Sequence, residues 1–213
     1  VQLDFSKHLN RILEIDPDGQ RVRVQPGIVL DELNTQLQIY SLQLPLDLST
    51  SNRATIGGMI ANNSAGTRSV VYGKTIDYVE SMRVLLASGD VVEVSPHDEP
   101  QWQATCRGND PLGKLCGLVD RVAREQASEI ELRYPRIMRR VGGYNLDAFT
   151  PDKRHRNLAH LFVGSEGTLG LTLDVTLRLV EPPAARALCV VHFNTLLEAL
   201  AAVPLILDFE PSA

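Results

Sequence analysis

The sequence predicts an α+β fold, an antiparallel or mixed sheet flanked by helices, on three observations. Short runs that alternate polar and apolar residues are joined by tight-turn residues, as in the "SGD" of Ser88–Asp90. Helical spacings intervene without the regular strand–helix–strand rhythm of a parallel sheet. One long strand, "TLGLTLDVTLRLV", sets Leu169, Leu171, Leu173, Val175, Leu177 and Leu179 against Gly170, Thr172, Asp174, Thr176 and Arg178. No internal repeat is visible.

Arg11–Ile15 and Arg21–Gln25 alternate on either side of "DPDG", where Pro17 presets φ and Gly19 is expected to accept a positive φ, so they read as a hairpin. Pro26 and Gly27 end it. Leu30, Leu33 and Leu37 share a helical face, with Asp31 and Glu32 near the helix start. A proline-containing loop leads into a glycine-rich stretch, Ser51–Thr75. A hairpin about Ser88–Asp90 comes next. Asp110 and Pro111 then cap a helix whose Leu112, Leu115, Leu118, Val119 and Val122 are expected on one face. Between about Arg133 and Asn157 no period is sustained, which predicts loop with a short helix. Pro182 and Pro183 close the long strand. A strand over Ala187–Phe193 and a helix over Thr195–Leu205 would begin a second domain, dividing the chain into 1–182 and 183–213.

Composition narrows the function classes. With 213 residues, 44% hydrophobic and 22% charged, the chain can bury a core. Its net charge of −5 argues against a nucleic-acid surface. The basic cluster "RYPRIMRR" (Arg133–Arg140) reads either as a solvated face or as an anion or partner site. Cys106, Cys116 and Cys189 are an odd number at unrelated spacings, which fits reduced, buried thiols and a cytoplasmic location; the periphery of the inner membrane is a separate alternative. No C-x-x-C or H-x-x-x-H spacing occurs, so no metal site is expected. The apolar run "LEALAAVPLIL" is short and carries Pro204. Val1 is not Met, and the first residues already read as strand, which predicts a piece of a longer protein.

The glycine-rich stretch, "SNRATIGGMIANNSAGTRSVVYGKT", ends in a "GKT" that suggests a phosphate-binding loop. Such a loop needs a glycine five residues before Gly73, and Arg68 stands there. The glycines of "GSEGTLG" lead into a strand rather than a phosphate-facing helix, so the dinucleotide fingerprint fails too. What remains is a pair, Gly57-Gly58, that allows close approach to the backbone. Thr55 is placed to cap a short helix over Gly58–Ala61 and so aim free N–H groups outward. Ser49, Ser51, Thr55, Asn62, Asn63 and Ser64 add neutral hydrogen bonds. This chemistry suits a large, partly apolar ligand, with an ordinary ordered loop as the alternative.

These residues carry a resemblance. "SNRATIGGMIANNSAGTRSVVYGKTIDYVESMRVLLASGD" and "HLFVGSEGTLGLTLDVTLRLVEPP" resemble the second FAD-binding subdomain of the PCMH-type (vanillyl-alcohol oxidase) flavoprotein superfamily. "FSKHLNRILEID", "VRVQPG" and "RRVGGYNLDAF" are similar to its FAD-linked 2-hydroxyacid dehydrogenase branch, which acts on D-lactate, glycolate or D-2-hydroxyglutarate. The resemblance implies FAD as cofactor and hydride transfer from a 2-hydroxyacid. It implies another FAD subdomain before Val1 and a substrate domain, with the catalytic histidines, after Ala213. It leaves the electron acceptor open, an iron–sulfur domain of the full-length protein being one candidate. By position, Ser51, Thr55, Ile56, Gly57, Gly58, Ala61, Asn62, Asn63 and Ser64 would line the flavin and pyrophosphate. Gly66, Arg68, Tyr72 and Gly73 would close that wall, and Glu166, Gly167, Gly170 and Leu171 would hold the adenosine end. Glu166 could instead cap amides at the strand end, Arg68 could be a plain surface charge, and Tyr144 and Asn145 could lie near the site or simply shape a turn. No histidine has an evident partner for base catalysis, so no catalytic residue is assigned, and the chain alone is expected to be inactive. A non-catalytic FAD-binding or interaction module is the alternative.

Overall fold

In the computed structural model, which describes residues 3–140 and 142–211, the main sheet is built from β1 (Ile12–Asp16), β2 (Arg21–Val24), β3 (Val79–Leu86), β4 (Val91–Val94) and β7 (Gly170–Arg178). Their order is β1-β2-β7-β3-β4, and every neighbouring pair is antiparallel. A separate pair, β5 (Pro96–Asp98) and β6 (His155–Asn157), lies outside it. The hairpin of β1 and β2 forms as the sequence predicts. Its turn works differently: the Gly19 N–H donates to Asp16 Oδ1 at 2.9 Å, and the positive φ falls on Gln20 (51°). Gly19 is needed for space, since a Cβ there would stand 2.1 Å from Asp16 Oδ2.

The last strand in sequence is the middle strand in space. The alternation of β7 does not divide a wet face from a dry one, because side chains of the neighbouring strands lie over its polar face. Asp174, on the face expected to be polar, is 1% exposed. Arg23 of β2 donates to its Oδ1 at 2.8 Å, and Arg83 of β3 donates to its Oδ2 at 2.6 Å. A carboxylate withdrawn from water is thus satisfied on both oxygens by the two flanking strands, the condition under which burying it is tolerable. Donating to Asp174 in turn raises the Arg83 guanidinium above its ordinary pKa.

Helix α1 (Leu30–Leu37) buries Leu30, Leu33 and Leu37 as its spacing predicts. Helix α5 (Pro111–Glu125) is capped by Asp110, whose Oδ1 accepts the Gly113 N–H at 2.8 Å. Its buried face is rotated from the expected one: Gly113, Cys116, Val119 and Ala123 face inward, and Leu118 is 49% exposed. Gly113 fixes that rotation by packing on the Gly108 backbone, where a Cβ would lie 2.4 Å from a carbonyl oxygen. Helix α4 (Glu99–Cys106) has almost no apolar stripe and was not legible. It forms from an Asp98–Gln101 capping box and the burial of Trp102. Trp102 stacks on Phe149, with ring centroids 5.7 Å apart, and donates to Asp120 at 2.8 Å. Arg156, 1% exposed, pairs with Glu99 and donates to the carbonyls of Phe149 and Thr150. After α6 (Ala127–Arg133), the region expected to be mostly loop adds a single 3₁₀ turn at Leu146–Ala148 and β6.

The C-terminal segment departs from expectation in one respect. Helix α8 (Leu196–Leu207) forms, with Thr195 Oγ1 accepting the Glu198 N–H, but the strand expected over Ala187–Phe193 does not. A strand needs a neighbour for its N–H and C=O groups, and none of the described residues supplies one. For the same reason Cys189 is exposed, whereas burial pushes the Cys106 thiol up to about 11 and the Cys116 thiol up to about 12. Among the described residues no helix is long and apolar enough to cross a membrane. Among the described residues no cluster of metal-ligating side chains exists.

Two outcomes are expected for stability. Asp174→Ala leaves two guanidinium groups facing a dry strand, and chemical denaturation should show a loss of about 3 kcal/mol, the low end for a broken buried ion pair because both arginines are partly exposed. Burial holds the His160 imidazole below its ordinary 6.5. The unfolded chain therefore takes up this proton more readily, and the contribution of His160 to stability is complete above about pH 6.5 and lost on acidification. Denaturation midpoints measured from about pH 7 down to about pH 5 should fall, less steeply in His160→Gln.

Candidate functional site

The glycine-rich stretch forms helix α2 (Ile56–Asn62), longer by two residues at its start than expected, with Thr55 Oγ1 accepting the Gly58 N–H at 3.3 Å. The predicted outward-facing amides are not there. Ile56 N–H donates to Ile28 O at 2.9 Å and Gly57 N–H to Pro26 O at 2.7 Å, so the first turn of the helix is satisfied by the segment after β2. The glycines have a second use as well. A Cβ on Gly57 would stand 2.6 Å from Pro26 Cβ, and one on Gly66 would stand 2.2 Å from Asp47 O. Both glycines admit neighbouring protein rather than ligand.

The other end of α2 makes the site. Ala159–Phe162 form α7, and the "GSEG" turn after it runs through left-handed backbone at Gly164 (φ 82°), Glu166 (52°) and Gly167 (74°). That path aims the Gly164 and Glu166 amides at the carbonyls of Ile60 and Ala61, at 2.8 and 2.9 Å. These are carbonyls at the helix C-terminus, which lack full intrahelical partners. The two motif blocks, a hundred residues apart in sequence, therefore share one wall. Gly170 then lets β7 cross β3 closely, since a Cβ there would be 2.6 Å from Val84 Cγ1.

Two clefts open on this wall. One, of about 320 Å³, is lined by Phe5, Pro26, Gly57, Ile60, Ala61, Phe162, Gly170 and Leu171. The other, of about 500 Å³, is lined by Ser49, Thr50, Asn62, Asn63, Ser64 and Arg139. Glu166 lines both, and its carboxylate caps no amide among the described residues. Gly167, beside it in the first cleft, has nothing within 4 Å of where a Cβ would be. The first cleft is the more apolar, with Ser165 and Thr172 also in its lining, the second is hydroxyl- and amide-rich, and the Glu166 carboxylate is common to both.

Of the residues expected to touch a ligand, the structure brings Gly57, Ala61, Asn62, Asn63, Ser64, Glu166, Gly167, Gly170 and Leu171 to these clefts. Ser51, Thr55, Ile56, Gly58, Gly66, Arg68, Tyr72 and Gly73 line neither. Ile56 is core, and Ser51 O accepts the Asp31 N–H. Arg68, just ahead of the single-turn helix α3 (Ser69–Tyr72), pairs with Asp47 at 3.1 Å and lies over the Tyr72 ring at 5.5 Å. The Thr67 hydroxyl, with help from Arg68, holds the Asp47 carboxyl below its ordinary range. Asn63 is buried, and its Oδ1 accepts the Ile76 N–H at 3.0 Å, so its side chain is framework. Asn145 is likewise a clamp: its Nδ2 donates to the carbonyls of His160 and Val163, fixing the approach to the turn. Tyr144 joins the same turn through Thr168, Oη to Oγ1 at 2.9 Å. No histidine lines either cleft. Sequence reading overlooked Phe5, Pro26 and Phe162, whose apolar character looks like any core residue's, and Arg139, whose only signal was the basic cluster.

The two kinds of glycine should separate experimentally. Gly57→Ala forces a helix off Pro26 and should cost about 2 kcal/mol or more by thermal or chemical denaturation. Gly167→Ala meets open space and should cost only the left-handed backbone penalty of about 1 kcal/mol. Equal losses would refute the division between packing and open positions.

Comparison with known proteins now adds to this geometry. Residues 1–95 match the family described as FAD binding domain. The chain is 34% identical over 209 residues to D-2-hydroxyglutarate dehydrogenase of Escherichia coli (strain K12), covering 98% of this chain and 20% of that protein. It is 31% identical over 180 residues to the glycolate oxidase subunit GlcD of Bacillus subtilis (strain 168), covering 84% of this chain and 27% of the subunit. To a D-lactate dehydrogenase of Anaerostipes hadrus it is 27% identical over 204 residues, 96% of this chain and 32% of that one. A structure of alkyldihydroxyacetonephosphate synthase superposes with a TM-score of 0.59 at 21% identity, over 97% of this chain and 28% of that one, a likeness of fold. The chain spans about a fifth of the length of the D-2-hydroxyglutarate dehydrogenases it matches first. Taken with the wall that joins its two glycine-bearing motifs, these matches identify residues 1–95 as FAD binding domain and make nearly the whole chain similar to part of dehydrogenases and oxidases of 2-hydroxyacids.

Proposed function

We propose that this chain forms part of the FAD site of a flavin-dependent dehydrogenase that oxidises a 2-hydroxyacid of the D-2-hydroxyglutarate, glycolate or D-lactate class. The observation that carries the reading is the pair of backbone hydrogen bonds joining α2 to the Gly164–Gly167 turn, with a cleft on each side of Glu166. The donor set fits the cofactor. Phe5, Ile60, Phe162 and Leu171 offer apolar surface for a flat ring, and Ser49, Thr50, Asn62 and Ser64 offer hydrogen bonds to a hydroxyl-rich chain. Gly167 leaves room for a ligand to meet the backbone.

The roles divide accordingly. Ala61, Asn62, Asn63 and Ser64 form the wall, while Glu166, Gly167, Gly170 and Leu171 hold the adenosine end, with Glu166 accepting from ribose hydroxyls. Ser51, Thr55, Ile56 and Gly58 set the position of that wall from behind, Gly57 lines the first cleft where it packs on Pro26, and Gly66, Arg68, Tyr72 and Gly73 hold the wall's far edge against Asp47. FAD, when bound, supplies a two-electron acceptor for oxidation of the hydroxyl-bearing carbon. The residues of this chain orient the cofactor and exclude water from one side of it. Glu166 is the one acid lining the clefts and is assigned here to ribose hydroxyls, and no histidine lines them, so we assign uptake of the substrate's hydroxyl proton to the part of the relatives' length that this chain does not span. On the same reading, residues 1–182 are the FAD-binding domain and 183–213 begin a substrate domain. The enzyme acts in the cytoplasm and passes electrons to an acceptor such as an iron–sulfur domain of the full-length protein.

The test is made on the full-length protein. It should purify yellow, with flavin absorbance released on denaturation, and reduce an artificial electron acceptor when given at least one of D-2-hydroxyglutarate, D-lactate or glycolate. A colourless protein that takes up no added FAD would remove the reading.

A further inference from the structure

Four arginines stand in "RYPRIMRR", and three are matched to a carboxylate: Arg133 to Glu129, Arg136 to Glu131 and Arg140 to Asp147. Arg139 has no carboxylate within ion-pair distance among the described residues. It is nevertheless held in place. Its Nη2 donates to the Gly66 carbonyl at 2.7 Å, tethering the basic segment to the loop after α2. Lys74 makes a second tether between the same two segments, Nζ to the Met138 carbonyl at 2.8 Å. The nearby Asp47 is already occupied by Thr67 and Arg68. Arg139 is thus the one cation that lines the cleft of Ser49, Thr50, Asn62, Asn63 and Ser64. Glu166 lines the cleft too, yet the two charges are not paired. A planar guanidinium anchored by one N–H, with its other N–H groups unused by the described residues, is a preorganised donor for an oxyanion.

We infer that Arg139 is the anion-holding residue of this site, binding an oxyanion of the ligand that occupies the neutral cleft. The inference rests on the FAD reading above and extends it. The oxyanion has two sources of the same chemistry, the pyrophosphate of FAD and the carboxylate of a hydroxyacid substrate. Glu166, kept apart from Arg139, disfavours anions at its own end of the cleft and so fixes the ligand's direction.

The experiment uses the full-length protein and Arg139→Gln, titrated with FAD and with riboflavin, which lacks phosphate, and assayed for hydroxyacid oxidation. A charge-assisted contact at a half-open cleft corresponds to about a tenfold effect. If the pyrophosphate is the source, Arg139→Gln raises the FAD Kd about tenfold and leaves riboflavin binding unchanged. If the carboxylate is the source, flavin binding is unchanged and KM for the hydroxyacid rises about tenfold at constant kcat. Unchanged values throughout, or equal losses for FAD and riboflavin, overturn the inference. Should Arg139→Gln fail to fold, Arg139→Lys is read in its place: it keeps the charge and reach to Gly66 but not the two-pronged geometry, so a several-fold version of either pattern supports the assignment and none refutes it. Wild-type protein that takes up no flavin defeats the FAD reading separately. Arg139 is then judged on inorganic pyrophosphate, where binding by the wild type but not by Arg139→Gln upholds it and no difference overturns it.

Discussion

Two backbone hydrogen bonds, from the amides of Gly164 and Glu166 to the carbonyls of Ile60 and Ala61, organise the functional end of this molecule. Each is an ordinary neutral bond, worth about 1 kcal/mol net. Their importance is geometric. They give the Ala61 carbonyl a partner and the Ile60 carbonyl a second donor beside the Asn63 N–H, and they form on a turn that runs through left-handed backbone. Glycine supplies that conformation at two positions, and Glu166 adopts it at a cost of about 1 kcal/mol. The Glu166 carboxylate is thereby held between two clefts, where no protein amide claims it.

The turn is anchored on its C-terminal side by the central strand. Gly170 passes close to Val84 and opens β7, the strand on which the sheet is centred. Asp174 in that strand is gripped from both sides by Arg23 and Arg83. Replacing a buried ion pair by apolar residues can be neutral for stability, but a carboxylate that two strands must meet also fixes register. A one-residue slip of β7 would turn Asp174 away from both arginines and carry the Gly164–Gly167 turn off the end of α2. Sheet register and site geometry are therefore one constraint.

Glycine richness here has two physical meanings that a composition count merges. Gly57, Gly66 and Gly170 sit where backbone or side chains of the protein itself come within a bond-length or two of the missing Cβ. Gly167 faces open space. The first group brings chain segments together, and the second leaves a surface for something else. The amides at the start of α2 belong with the first, being fully engaged by Pro26, Ile28 and Thr55. Recognition at this wall therefore falls to cleft-lining side chains and to the Gly167 region rather than to a helix N-terminus.

The sequence by itself determined what depends on neighbours along the chain. The hairpins at Asp16–Arg21 and Leu86–Val91, the face of α1, the Thr55 and Asp110 caps and the strand Gly170–Arg178 all come from spacing and turn chemistry. The motif blocks, through their resemblance to a family, pointed to FAD. Tertiary structure decided what depends on distant partners. Asp174 reads as a solvent-facing residue until β2 and β3 close on both edges of β7. Leu118 reads as core until Gly113 on Gly108 sets the rotation of α5. Ala187–Phe193 has strand composition without a partner to pair with. Arg139 is indistinguishable in sequence from Arg133, Arg136 and Arg140, because a charge's role is set by which carboxylates lie within a few ångströms of it, and that is a property of the folded chain alone.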